Sequence, residues 1–246
     1  MKIKVLASGS KANCYLLETD KGSLMLDCGM TFRKLKESMD FDLSKVVGCL
    51  VSHSHFDHAK SVKELMNAGV DVYATKGTFQ ELNITELHRV NYIQSKHLIN
   101  LKQKSDNIGI MPFETHHDTS EPVGFFVREF ETDKTVVFAT DTYYLSNTFM
   151  GANVIMIECN FITEKLLKNA EQGLIHPKLK DRLLESHFSL ENVKEFLKAT
   201  DLSKCKKIIL LHLSETNADA DRMVEEIEDL TGIETLVAEA GLEVEI

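Results

Sequence analysis

Residues 45–58 read KVVGCLVSHSHFDH, an apolar run over 45–52 that ends on three histidines and an aspartate within six positions, His53-Ser54-His55-Phe56-Asp57-His58. An apolar run of this length reads as a buried strand. The cluster therefore stands where a strand stops. His53 and His55, two apart on extended chain, point the same way, while Asp57 and His58 sit at the turn into a following helix and can face a second ion. That helix is expected over 58–68, where HAKSVKELMNA places Val62, Leu65 and Met66 at helical spacing and closes at Gly69. Neutral imidazole and carboxylate suit zinc, manganese or iron, and side chains crowded in this way repel or lie unsatisfied without a cation. One loop can thus seed two adjacent metals.

Upstream of the cluster, residues 2–7, 14–18 and 24–28 read as strands joined at Gly9 and at the Asp20-Lys21-Gly22 turn, a β-meander. Downstream come short strand-like pieces around 71–75, 90–93, 97–102 and 108–114. PVGFFVREF (122–130) and KTVVFAT (134–140) follow as a hairpin across Glu131-Thr132-Asp133. The last hundred residues add the run NVIMIE (153–158), helices near 161–171 and 189–199, and the strand KKIILLH (206–212). A final helix is expected from about Asn217 to Leu230, capped by Thr216 or Asn217. A sheet sandwich flanked by helices, of the α/β (α+β) class, accommodates this order. No linker, low-complexity segment or repeat interrupts it, so a single domain over 1–246 is expected.

The 246 residues are 43% apolar, enough for a large core without covalent staples. The formal net charge of −10, from 28 basic and 38 acidic residues, excludes a protein that coats nucleic acid by bulk attraction. A local basic groove remains open: Lys178, Lys180 and Arg182, with Lys204, Lys206 and Lys207, offer phosphate contacts or else form a solvated charged face. Five cysteines, an odd count without a CxxC pair, argue against a disulfide framework and a four-thiolate zinc site. They are expected to be small, reduced, buried residues. No stretch nears the roughly 20 apolar residues that cross a bilayer, and MKIKVLASGSKANC lacks the apolar centre of a signal peptide. A cytoplasmic protein is expected.

Further candidate ligands close other apolar runs: His117 in ETHHDTSEPVGF, Asp141 in VVFATDT and His212 in IILLHLSETN. Taken singly, Asp141 reads as an ordinary strand-end acid and His212 as a core histidine. Together the motifs resemble the metallo-β-lactamase-fold hydrolases, whose five motifs run in this chain order: an Asp after an early strand, HxHxDH, a His, a bridging Asp and a final His. Asp27 in LMLDCG matches the first. More narrowly, SGSKANCYLLET, HHDTSEPVGF, ESHFSLENV and LLHLSETN are similar to the WalJ (YycJ) subgroup, associated with exonuclease action on DNA.

The resemblance implies a four-layer αββα sandwich. It implies His53, His55 and His117 around one divalent ion, Asp57, His58 and His212 around a second, and Asp141 between them, with the ions Zn2+ or Mn2+. Asp27 would orient ligands rather than bind metal. His117 is preferred over His116 because the subgroup pattern sets the ligand directly before Asp. His187 in SHFSLEN resembles a GHLSN-like element and would reach a scissile phosphate or leaving oxygen; its other reading is a cap or packing group for a helix beginning near Ser189. An NHD-like element departs here to ECNFIT, losing its histidine. The Ser8-Gly9-Ser10 turn with Asn13 either brings amide groups to the site or is a plain hairpin, and His88, His97 and His176 match no motif.

The function implied is a dinuclear metal-dependent hydrolase, a phosphodiesterase or nuclease of the DNA-exonuclease kind, with a hydroxide between the ions attacking phosphorus. Asp57 would steer the hydroxide's proton and His187 would help the leaving oxygen depart. The alternatives are a small-molecule hydrolase acting on a thioester, lactone or cyclic nucleotide, and a binding module that keeps its ions without catalysis. Only 70 residues separate Asp141 from His212, which leaves no room for a β-CASP insert. HxHxDH is not the HExxH of zincins, and ASGSK lacks the final glycine of a serine-hydrolase elbow.

Overall fold

A computed structural model describes residues 1–84, 88–101 and 108–246. The chain divides into two compact units, the first Met1–Glu114, Thr119–Thr135 and Glu239–Ile246, the second Thr115–Asp118 and Val136–Ala238.

In the first unit β1 (Lys2–Ala7), β2 (Cys14–Thr19) and β3 (Gly22–Leu26) form the expected antiparallel meander. The chain then crosses through α1 (Phe32–Ser38) to β4 (Val46–Leu50). It continues through α2 (Phe56–Ala59) and α3 (Val62–Asn67) to β5 (Val72–Thr75), and through α4 (Lys76–Glu81) to β6 (Val90–Ile93). Each of these crossovers returns to a parallel partner. With β14 (Glu243–Glu245) on the edge, the sheet order is β14-β1-β2-β3-β4-β5-β6. All five residues of β4 are buried, as a central parallel strand requires. Leu16, Met25, Leu35, Cys49, Leu65 and Phe79 belong to the core beneath it. β7 (Ile99–Asn100), β8 (Ile108–Glu114) and β9 (Val123–Glu129) form an antiparallel ladder.

The second unit holds β10 (Lys134–Ala139, most of it in this unit) and β11 (Val154–Glu158), followed by α5 (Thr163–Glu171), α6 (Pro177–Ser186) and α7 (Leu190–Ala199). It ends with β12 (Lys207–Leu211), α8 (Ala220–Thr231) and β13 (Glu234–Val237). The strands pair in parallel in the order β10-β11-β12-β13, so their carboxyl ends lie together. In open α/β sheets that edge is where ligands bind.

Several details differ from the sequence reading. The helix expected over 58–68 is two helices, because Ser61 leaves helical geometry (φ −102°, ψ 15°) to bond its N to Cys28 O and its Oγ to Met30 O. α8 is capped by Asp219, whose side chain accepts from Arg222 N, rather than by Thr216 or Asn217. Asn217 is engaged elsewhere, its Oδ1 accepting from Asn169 Nδ2. α1, α4, α6, β13 and β14 were not anticipated, and residue 102, the end of one expected strand, lies outside the described residues. Cys14, Cys28, Cys49 and Cys159 are buried and Cys205 is half-buried, all as free thiols. Among the described residues no helix is long and apolar enough to cross a membrane.

Gly29 shows how closely β3 is followed by the histidine loop. A Cβ at this residue would lie 1.6 Å from Asp57 O and 2.1 Å from Asp57 C. The two backbones are stitched there by Asn13 N to Asp57 O, Gly29 N to Asn13 O and Cys28 N to His58 O. Because the clash is with backbone that cannot rotate away, Gly29→Ala is expected to destabilise the fold by about 3 kcal/mol or more. A fall in the urea midpoint with unchanged m-value measures it; a wild-type midpoint would show that the loop yields freely.

Candidate active site

In the first unit strand register assembles a cluster of polar side chains. Parallel pairing sets Leu26 of β3 opposite Leu50 of β4, so Asp27 and the residues after Leu50 emerge side by side. Asp27 is wholly buried and leaves its strand at φ 57°. Its Oδ1 accepts from Ser52 N at 2.8 Å, and its Oδ2 accepts from Ser52 Oγ at 2.9 Å and from His58 Nδ1 at 2.7 Å. The last bond fixes the His58 tautomer, with Nδ1 protonated and Nε2 left as the electron-pair donor. The rings of His53 and His55 lie 4.9 Å apart edge to face, and those of His53 and His58 4.2 Å apart. Asp57 Oδ2 is 3.3 Å from His58 Nε2. Asn13 reaches this cluster too, its Nδ2 3.0 Å from His58 Nε2. Of the two readings of the Ser8-Gly9-Ser10 turn, the structure shows the one that delivers the Asn13 side chain.

In the second unit, Asp141 lies two residues past Ala139 of β10, Glu158 closes β11 and His212 follows Leu211 of β12. The pairs Ala139↔Ile157 and Glu158↔Leu211 bring these three ends together. Asp141 and His212 leave their strands at φ 45° and 54°. Such conformations carry strain of order 1–3 kcal/mol and gather at functional sites. Ligand atoms of Asp141, Glu158, His187 and His212 all lie within 4.8 Å of one another.

His117 joins this group from the 115–118 segment. Its side chain is wholly buried, its Nδ1 donates to Ser186 O at 2.7 Å, and its Nε2 is 3.5 Å from Asp141 Oδ2. Burial lowers its pKa against the pull of Asp141, which favours the neutral imidazole that a metal takes. The neighbouring His116 turns away, its ring 5.7 Å from Tyr143 and 5.8 Å from Tyr144.

His187, the residue at the end of α6, packs flat against His212 at 5.4 Å and 12° and edge-on to His117 at 5.1 Å. Its Nδ1 is 2.5 Å from Glu158 Oε1. Burial disfavours its charge, but Glu158, by charge and by hydrogen bond, and Asp141 outweigh burial and raise its pKa to about 9. Glu158 is wholly buried, and its Oε2 also accepts from Thr142 N at 2.9 Å and Phe188 N at 3.2 Å. Sequence reasoning gave Glu158 no role. The available signal was an acid ending an otherwise apolar strand, VIMIE, every position of which is buried.

Where ECNFIT departs from the subgroup pattern, Phe161 and Ile162 are buried core residues. Asn160 remains at the site, its Nδ2 donating to His212 O at 2.8 Å. Of the basic side chains, Lys178 and Arg182 are exposed on α6, Arg182 bonds Asp118, whose Oδ1 is 3.2 Å from His117 Nε2, and Lys207 pairs with Glu234. The donor chemistry fits divalent metal. His58 and His117 each give Nδ1–H to an oxygen of the protein, Asp27 Oδ2 and Ser186 O, an arrangement that orients a ligating imidazole and leaves Nε2 for the ion.

Comparison with known proteins agrees with this geometry. Residues 23–213 match the beta-lactamase superfamily domain. The chain is 34% identical over 232 residues to the Streptococcus pneumoniae protein named Exodeoxyribonuclease WalJ, covering 88% of this chain and 82% of that one. It is 28% identical over 232 residues to the Bacillus anthracis protein named Exodeoxyribonuclease YycJ, covering 88% and 84%. In structure it resembles the metallo-beta-lactamase fold protein YhfI from Bacillus subtilis, with a TM-score of 0.74 over 99% of each chain at 18% identity. The chain is a metal-dependent hydrolase of the beta-lactamase superfamily, in the branch that holds WalJ and YycJ.

Proposed function

We propose that this hydrolase is a DNA exonuclease that works as a single domain with two divalent ions, Zn2+ or Mn2+. The observation that carries the reading is the 34% identity over 88% of the chain to a protein named Exodeoxyribonuclease. The ligand assignment rests on the family's motif order: His53, His55 and His117 for one ion, Asp57, His58 and His212 for the other, Asp141 for both, and Asp27 as the group that orients His58.

A bound pair of divalent ions lowers the pKa of water toward neutrality and offsets charge growing on the phosphoryl oxygens. The chain's own groups do the rest. Asp57 accepts the proton of the attacking water. His187, kept protonated by Glu158, binds a phosphoryl oxygen or gives its proton to the departing one. No protein nucleophile is required, so no covalent intermediate forms on the chain.

The test sets end-labelled single- and double-stranded DNA, with manganese, magnesium or zinc, beside a thioester and a generic phosphodiester. Release of nucleotides from an end is the expected result. Turnover of the thioester alone would replace the reading with a small-molecule hydrolase.

A further inference from the structure

His116, the neighbour of His117 that the ligand assignment passes over, sits beside two tyrosine rings. Tyr143 is 40% exposed and Tyr144 53%, although both follow the buried Asp141 and Thr142. The backbone beneath them is held from several sides. His116 N donates to Thr142 Oγ1 at 2.9 Å, Thr142 Oγ1 donates to Tyr144 O at 2.7 Å, and Tyr143 N donates to His116 O at 3.1 Å. Asn192 Nδ2 adds a bond to Tyr143 O at 3.2 Å. A corner so fully bonded presents its rings in a fixed place, and it keeps two large aromatic side chains in water rather than in the core.

Two further facts say what such rings face. His116 directly precedes His117, and Tyr143 and Tyr144 are two and three residues past Asp141, so by chain length alone they lie within about 10 Å of it. Thr142 N is bonded to Glu158 Oε2, the carboxylate that also holds His187. Whatever rests on the rings is therefore positioned by the same carboxylate as the group assigned to the phosphate. A planar ring offers an apolar face that every base can stack on, as the removal of successive nucleotides requires.

We propose that His116, Tyr143 and Tyr144 form a stacking platform for the unpaired nucleobase next to the scissile phosphate. The proposal rests on the DNA-exonuclease reading and adds how the substrate's end is held. The platform is independent of base identity and depends on the presence of a base.

The experiment compares kcat/KM of the manganese-loaded protein on single-stranded oligonucleotides whose terminal residue is either a normal nucleotide or an abasic one. Wild type is expected to favour the base-bearing end by about tenfold or more, the range of one to two stacked bases. In the pair Tyr143→Leu/Tyr144→Leu that ratio is expected to fall toward one, and in Tyr143→Phe/Tyr144→Phe to persist. A terminal 2-aminopurine should be quenched on binding to wild type and much less on binding to the leucine pair. Wild type that degrades both ends equally would overturn the platform and leave the exonuclease standing. A protein that degrades double-stranded DNA but neither oligonucleotide would overturn the platform alone, and one that degrades no DNA with any of the metals would overturn both. These results are read on wild type, so they do not depend on how the variants fold.

Discussion

Asp141→Asn is expected to lower kcat/KM on end-labelled DNA by about a thousandfold, equivalent to about 4 kcal/mol of transition-state stabilisation. Asp141 is only 2% exposed, and Thr140 Oγ1 donates to its Oδ1 at 2.8 Å. Its carboxylate lies 3.5 Å from His117 Nε2, 3.8 Å from His212 Nε2 and 3.9 Å from His187 Nδ1. Asparagine keeps the shape, tolerates the φ of 45°, and removes only the charge. The variant should therefore fold while holding less metal. Elemental analysis of the purified variant beside the rate measurement separates loss of ions from loss of fold. Full metal content with an unchanged rate would remove Asp141 from the centre.

The second large effect concerns Glu158. It is wholly buried and holds His187 together with the backbone N–H groups of Thr142 and Phe188. Removing one partner of a buried pair costs about 3–5 kcal/mol, because the other is left desolvated and unpaired. Glu158→Gln keeps an acceptor for the backbone donors but loses the charge that raises His187 to about 9. The folded pKa of His187 is above its unfolded value of about 6.5. Its stabilising contribution is thus complete below about pH 6.5 and disappears as pH rises through about 9, a change of a few kcal/mol. Urea unfolding of the metal-free protein at pH 6, 8 and 10 should show wild type converging on the glutamine variant as pH rises. Taking the difference between the two proteins removes the lysines and tyrosines that titrate in both. A constant gap across that range would mean that His187 is not held by Glu158 charge.

Most strand positions along the chain, the early meander and the histidine loop at the end of β4 were legible because each rests on short-range features: apolar runs, turn residues, and ligand types two apart on extended chain. Two of the three helices that the sequence reading lacks bury little, whereas α4 buries Gly77, Thr78 and Phe79 but spans only six residues. In α1 only Leu35 is buried, and in α6 only Ser186 is, with Leu179 and Leu184 facing solvent. A helix that buries so little leaves no apolar stripe to recognise. The two edge strands β13 and β14 are short and half exposed, and take their place from a neighbouring strand rather than from their own pattern.

The residue types of the centre, and their order along the chain, were set by local chemistry: imidazoles and carboxylates closing apolar runs. Which of two adjacent histidines turns inward, and which acid holds His187, depended on packing. His117 is selected by Ser186 O, 69 residues away, and His116 is drawn instead to Tyr143 and Tyr144. Glu158 becomes a partner of His187, 29 residues on, because parallel register lines up the ends of β10, β11 and β12. A ring or a carboxylate takes its orientation from the hydrogen-bond partner that burial leaves within reach. Those partners come from distant parts of the chain, so spacing along the sequence carries no record of them.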